Sequence, residues 1–190
     1  MHTWLYTGRL ALLAAALACA PLGAQQQATA PAPPPAANPA DVASPEAIVT
    51  ALYDVISGPA AQARDWNRMR SLYRPDARLS LVQRGPAGQE RLHSLGVEDF
   101  IRLVGPGYQT GAGFWERELG HRIDRFGSVA HVFSAYETRR AAADGPVAER
   151  GINSIQLVHY EGRWWVTNLV FDGETPANPI PPEYLAPANQ

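Results

Sequence analysis

The 190-residue chain is 46% apolar with a formal charge of −2, enough for one buried core and without the clustered positive charge that a nucleic-acid backbone demands. All 16 basic residues are arginine, which excludes Schiff-base, phosphate-loop and general-base lysines. The only cysteine, Cys19, lies in the first twenty residues, so the rest of the chain has no disulfide, thiol nucleophile or cysteine-held cofactor.

In chain order, residues 10–20, "LALLAAALACA", follow Arg9 and precede "PLGAQQQ", the pattern of an export signal over 1–24 cleaved after Ala24. The alternative is a lipoprotein signal ending "ALAC", in which acylated Cys19 would hold the protein at a membrane. Both place it in the periplasm or outside the cell, with membrane contact only if Cys19 is lipidated. Residues 25–43 are Gln, Ala and Pro without a hydrophobic period and read as a disordered linker. The domain is expected over 44–172, followed by a proline-rich tail over 173–190.

Ser44-Pro45 opens a first helix with a hydroxyl cap and proline in the first turn. Ile48, Ala51, Leu52, Val55 and Ile56 share one face, and Gly58 stops it. A second helix fits Arg64 to Tyr73, ending before Pro75, and a third fits Gly96 to Val104. Strands follow the alternation over Ala77–Val82, Phe114–Phe126, Val129–Arg140, Arg150–Tyr160 and Arg163–Phe171, the last four joined by Gly127-Ser128, Asp144-Gly145 and Glu161-Gly162. Helices gathered early and a long curved antiparallel sheet later give an α+β fold, with the sheet wrapped on about three N-terminal helices.

The turns set the pairing. A two-residue turn at Gly127-Ser128 puts Asp124 opposite His131, His121 opposite Ser134, Leu119 opposite Tyr136 and Glu118 opposite Glu137. Strand alternation then gathers Leu119, His121, Ser134, Tyr136, Asn153, Trp164 and Asn168 on the helix-facing side. Glu116, Glu118, Asp124, His131, Phe133, Glu137, Trp165 and Phe171 fall on the other. Asp124 and His131 read as a cross-strand ion pair, and the like charges of Glu118 and Glu137 as quenched by nearby arginines.

Three helices followed by a meander whose last strand reads "GRWWVTNLVFD" resemble the nuclear transport factor 2-like superfamily, in particular its SnoaL-like bacterial branch. The segments "RDWNRMRSLYRPDARL", "FGSVAHVFSAYETR" and "RGINSIQLVHYEGRWW" look like a secreted subgroup of unassigned reaction. The resemblance covers Ser44 to about Asp172 and implies a cone-shaped half-barrel over helices, a pocket, and frequent dimers through the sheet. It also implies that Trp164, Val166, Asn168 and Val170 aim at the cavity. The scaffold hosts isomerases, dehydratases, cyclases and binding modules, so the fold alone assigns no reaction.

The first functional expectation is a pocket for a small, mostly apolar molecule, contacted by Leu119, His121, Ser134, Tyr136, Asn153, Trp164 and Asn168. The second is proton transfer on a carbonyl compound, by an isomerase or dehydratase with His121 as base and Tyr136 as oxyanion donor. The third is a non-catalytic homodimeric module joined through Phe133, Trp165 and Phe171. No cofactor and no metal is expected: His121 and His131 face opposite ways, and His93 reads as loop. Gly105-Pro106-Gly107 and Gly111-Ala112-Gly113 lack phosphate-loop spacing and read as a flexible flap at the pocket mouth.

Overall fold

The computed structural model describes residues 33–85, 88–110 and 112–185. The expected export signal over 1–24, with Cys19, lies outside them. The end of the expected linker departs from a tether: Pro39–Val42 forms a 3-10 turn, Val42 is 5% exposed, and Arg68 Nε meets Asp41 Oδ2 at 2.7 Å. An apolar side chain and a charge with a partner offset the ordering of this proline-rich stretch.

Helix α1 (Pro45–Ile56) begins as its sequence dictates, with Ser44 Oγ accepting from the Ala47 amide at 3.1 Å. It buries Ile48, Val49, Leu52, Tyr53 and Val55. Helix α2 (Trp66–Leu72) is capped by Asp65 and buries Met69 and Leu72. Each of these large apolar side chains, once withdrawn from water, contributes about 1.5–3 kcal/mol before entropy is charged against it. Helix α3 (Val97–Thr110) runs six residues beyond the expected end and carries Pro106 within it. The stretch Gly105-Pro106-Gly107 is therefore helix, not a flap.

Six strands make one sheet in the order β2-β1-β6-β5-β4-β3: β1 (Tyr73–Arg84), β2 (Glu90–Leu95), β3 (Trp115–Phe126), β4 (Val129–Arg139), β5 (Val147–Tyr160) and β6 (Arg163–Gly173). All neighbours are antiparallel except β1 and β6, which run parallel. β2 stands where the sequence reads as loop, and His93 is on it. Two of the three expected turns, Gly127-Ser128 and Glu161-Gly162, close hairpins, whereas Asp144-Gly145 lies in a longer connection between Arg139 and Val147. Gly127 takes φ 55°, and Glu161 and Gly162 take 51° and 76°, the positive values that two-residue hairpin turns require.

The tail does not leave the domain at Gly173. Ile180 is 7% exposed, its amide donates to Glu174 Oε1 at 2.9 Å, and Tyr184 meets Phe133 edge-on with ring centres 4.9 Å apart. Phe133 on the outer sheet face is thus covered by the chain itself. Trp165 packs under Arg163, whose guanidinium lies 3.6 Å from the ring centre, and Phe171 lines the interior. The three aromatics expected to form one dimerisation face do not share an open surface.

Candidate functional site

The site is created by an irregularity in β3. The ladder runs as expected from Phe126 opposite Val129 to His121 opposite Ser134, then slips: Gly120 faces Ala135 and Glu118 faces Tyr136. Leu119 is the extra residue of a β-bulge, and beyond it every side chain changes face. Glu116 and Glu118, expected outside, turn toward the helices. Arg117 takes the place opposite Glu137, at 2.6 Å from Nε to Oε1. Burial opposes ionisation of Glu137, but Arg139 and Arg117 outweigh it and hold that carboxyl below its usual range. Leu119 itself, expected in the pocket, sits half-buried in the bulge outside the cavity lining.

A second slip, between Gln156 and Leu157, leaves Thr167 unpaired on β6. Leu169 and Phe171 then face inward and line the cavity. Asn168, expected as a ligand contact, lies between Gln156 and Arg78, both exposed, on the outer face.

Between α1, α3 and the sheet lies a cavity of about 190 Å³. Leu52, Val55, Met69, Leu79, Val104 and Ile155 give it apolar walls, and Tyr53, Tyr73, Tyr108 and Tyr136 bring four phenols. Tyr136 fits because its strand neighbour is Gly151: a Cβ there would lie 2.5 Å from the Tyr136 oxygen and 2.4 Å from the Asp172 carbonyl. Into this cavity reaches Glu116. Part of the residue borders an outer groove with Thr50 and Arg117, while the carboxyl is enclosed by protein. Burial pushes its pKa up to about 7 against the ordinary 4.5; the Asn153 amide pulls down, the Glu149 charge adds to the rise, and Arg140 offsets it in part.

A directed chain of hydrogen bonds leads away from that carboxyl. Asn153 Nδ2 donates to Glu116 Oε1 at 3.2 Å and to Tyr53 Oη at 3.1 Å. The Tyr53 hydrogen is then left for Ser134 Oγ at 2.7 Å, and Ser134 donates to Glu118 Oε1 at 2.5 Å. His121 Nδ1 closes the chain 3.0 Å from Glu118 Oε2. Burial, first, and the Glu116 charge raise the Tyr53 pKa, so its proton stays in place.

Of the residues expected at the site, Tyr136 and Asn153 line the cavity. Ser134 and His121 join it only through the hydrogen-bond chain. Trp164, 2% exposed, is core, edge-on to His159 and stacked under Arg125 at 4.9 Å. On the outer face Asp124 binds Arg122 at 3.0 Å and His131 Nε2 lies 2.9 Å from Ser154 Oγ, so the expected Asp124–His131 pair does not form. No group of three metal-ligating side chains occurs among the described residues.

Three helices precede or interrupt a curved six-stranded sheet that closes over them and leaves one end hollow. This is the nuclear transport factor 2-like fold. No family model matches the chain, and no curated protein matches its sequence. Among solved structures the chain is similar to the Kfla4162 protein from Kribbella flavida, 11% identical with a TM-score of 0.50 over 67% of this chain and 86% of that one. It is similar also to an NTF2-like protein of unknown function from Shewanella baltica OS155, 17% identical with a TM-score of 0.47 over 68% of this chain and 93% of that one. These likenesses concern the fold alone.

Sequence reasoning on this NTF2-like cone missed Glu116, Tyr53, Tyr73 and Tyr108. The glycine at 120, inside a strand, is the one local sign of the bulge that turns Glu116 inward. Tyr53 lies on the face of α1 marked by Leu52 and Ile56. Tyr108 lies in a segment whose glycines and proline read as loop but which is helix.

Proposed function

We propose that this chain binds a small, mostly apolar molecule in the cavity, with a single polar handle at Glu116. The observation that supports this is the cavity's make-up: about 190 Å³ of largely apolar space around one enclosed carboxyl. An engineered apolar cavity of roughly 150 Å³ takes up benzene, so this one suits a single ring or a branched chain of similar bulk. A polar group placed in such a lining orients a ligand, because leaving it unpaired is costly. The test is mass spectrometry of molecules retained by the protein from its native envelope fraction, together with thermal shifts against single-ring fragments. A retained small molecule or a stabilising fragment is expected. No retained mass and no stabilising fragment overturns the reading.

A second reading, proton transfer on a carbonyl compound, is favoured by one feature. Glu116, poised to gain or lose a proton near pH 7, shares the cavity with Tyr136, whose own proton is held fast by burial, first, and by the charges of Glu149 and Glu116. In this reading the base is Glu116 and not His121, which stands outside the cavity behind Ser134 and Glu118, and Tyr136 donates to the developing oxyanion. Exchange of the α-hydrogens of cyclohexanone in deuterated water should be faster with the protein than with its Glu116→Gln variant. Equal rates overturn this second reading.

A further inference from the structure

The charged groups of the cavity all carry one sign. Glu116 and Glu149 line it, no arginine or histidine does so among the described residues, and the two carboxylates act on each other unfavourably. Arg140 lies against the Phe114 ring, its guanidinium 4.7 Å from the ring centre, and does not line the cavity. Arg64 is placed likewise 5.8 Å from the Tyr108 ring. The rest of the lining is mostly apolar and rich in rings: four tyrosines with Phe100, Phe114 and Phe171, set among the aliphatic walls already described. Among the described residues, Tyr53 is the one phenol of the four bound to side chains, Ser134 and Asn153.

Three kinds of occupant can be compared on this lining. An anion would meet the Glu149 charge at the rim and the Glu116 charge in the poorly hydrated interior. A neutral molecule would leave the Glu116 carboxylate with the Asn153 amide as its main support, or force it to stay protonated. A cation with apolar substituents would neutralise the carboxylate, relieve its repulsion from Glu149, and set its alkyl groups among aromatic rings whose faces attract positive charge. Glu149, exposed at the rim, would draw such a cation in.

We propose that the cavity binds a small organic ammonium ion, its charge against Glu116 and its alkyl groups among the four tyrosines. This rests on the ligand-binding reading above and gives the ligand its chemical class. Binding requires Glu116 ionised, so affinity rises with pH through neutrality. Burial, Asn153 and Glu149 on β5 and Arg140 beyond β4 act on this titration, and the titratable groups that share the cavity with Glu116 are Tyr136 on β4, Tyr53 on α1, Tyr73 on β1 and Tyr108 on α3.

The experiment compares two isosteric probes, choline and 3,3-dimethylbutan-1-ol, by calorimetry at pH 6 and pH 8, with the intact protein and its Glu116→Gln variant. At pH 8 choline should bind at least about tenfold more tightly than the alcohol, since a desolvated charge pair and ring contacts act on it alone. Its affinity should fall at pH 6, and Glu116→Gln should abolish the preference for choline over the alcohol. Equal or tighter binding of the alcohol, or a cavity that takes neutral rings but not choline, overturns the ammonium assignment and leaves the ligand-binding reading standing. If neither probe binds and no fragment does, both fail. A Glu116→Ala variant with an unchanged preference overturns the assignment even where Glu116→Gln folds poorly.

Discussion

Glu116 is the residue on which the chemistry of this interior turns, and its position has a consequence for stability. The folded chain keeps a proton up to about pH 7 that an unfolded glutamate, with its ordinary value of 4.5, has already released. Between those limits the unfolded state binds fewer protons, so stability falls as pH rises. The stabilisation is fully present below 4.5 and lost as pH passes about 7, a total on the order of 3 kcal/mol. Asp172 and Glu137, whose pKa values are depressed, act oppositely, and only as pH falls below the ordinary carboxylate range. Urea midpoints at pH 5 and pH 8 should therefore drop more for the native chain than for Glu116→Gln, which retains the acceptor for Asn153 without the titration. Equal drops would show that Glu116 titrates normally.

At the scale of elements, what could be read beforehand and what could not divide at the bulges. Ser44-Pro45 announced α1 to the residue, and Gly127-Ser128 fixed the β3–β4 register as far as His121 opposite Ser134. That stretch puts His121 on the helix side and His131 outside, as its alternation requires. Past Leu119 the same alternation gives the wrong face, because a bulge is favoured by tertiary fit and leaves only Gly120 as its trace. At Thr167 there is no trace at all: Thr and Asn follow Val in an unbroken strand pattern, and the slip shows only in Leu169 and Phe171 reaching the cavity. The alternation brings Tyr136 and Asn153 to the cavity lining, the bulges take Leu119 and Asn168 away from it, and Trp164, on a strand set by a hairpin turn, lies in the core. Glu116 escapes the alternation for the same reason, and Glu149 because the strand is expected to begin only at Arg150 whereas it begins at Val147. Helix α3 was cut short because Gly105-Pro106-Gly107 carries strong breaking signals, yet Phe100, Val104 and Tyr108 at helical spacing bury one face against the cavity.

The domain as a whole is closed by the parts that composition alone would assign to linker and tail. At one end Arg68 ties Asp41 to Asp54 of α1, joining the 3-10 turn to two helices. At the other, Ile180 and Tyr184 cover Phe133 and the outer face beside Gly151 and Asp172. Burying an isoleucine contributes about 1.5–3 kcal/mol and an edge-on aromatic pair about 0.5–1.5 kcal/mol. Ordering a few proline-rich residues costs less than ordering ordinary chain, because proline already restricts the unfolded state. A chain ending after Asn178 should therefore lose about 1–3 kcal/mol in urea denaturation, and Ile180→Ser in the full chain should account for most of it. The cavity is lined by none of these residues, so choline and fragment binding should survive the truncation at permissive temperature. A truncated chain with an unchanged midpoint would mean that the tail rests on the sheet without stabilising it, and the outer face would then have to be regarded as open to a partner.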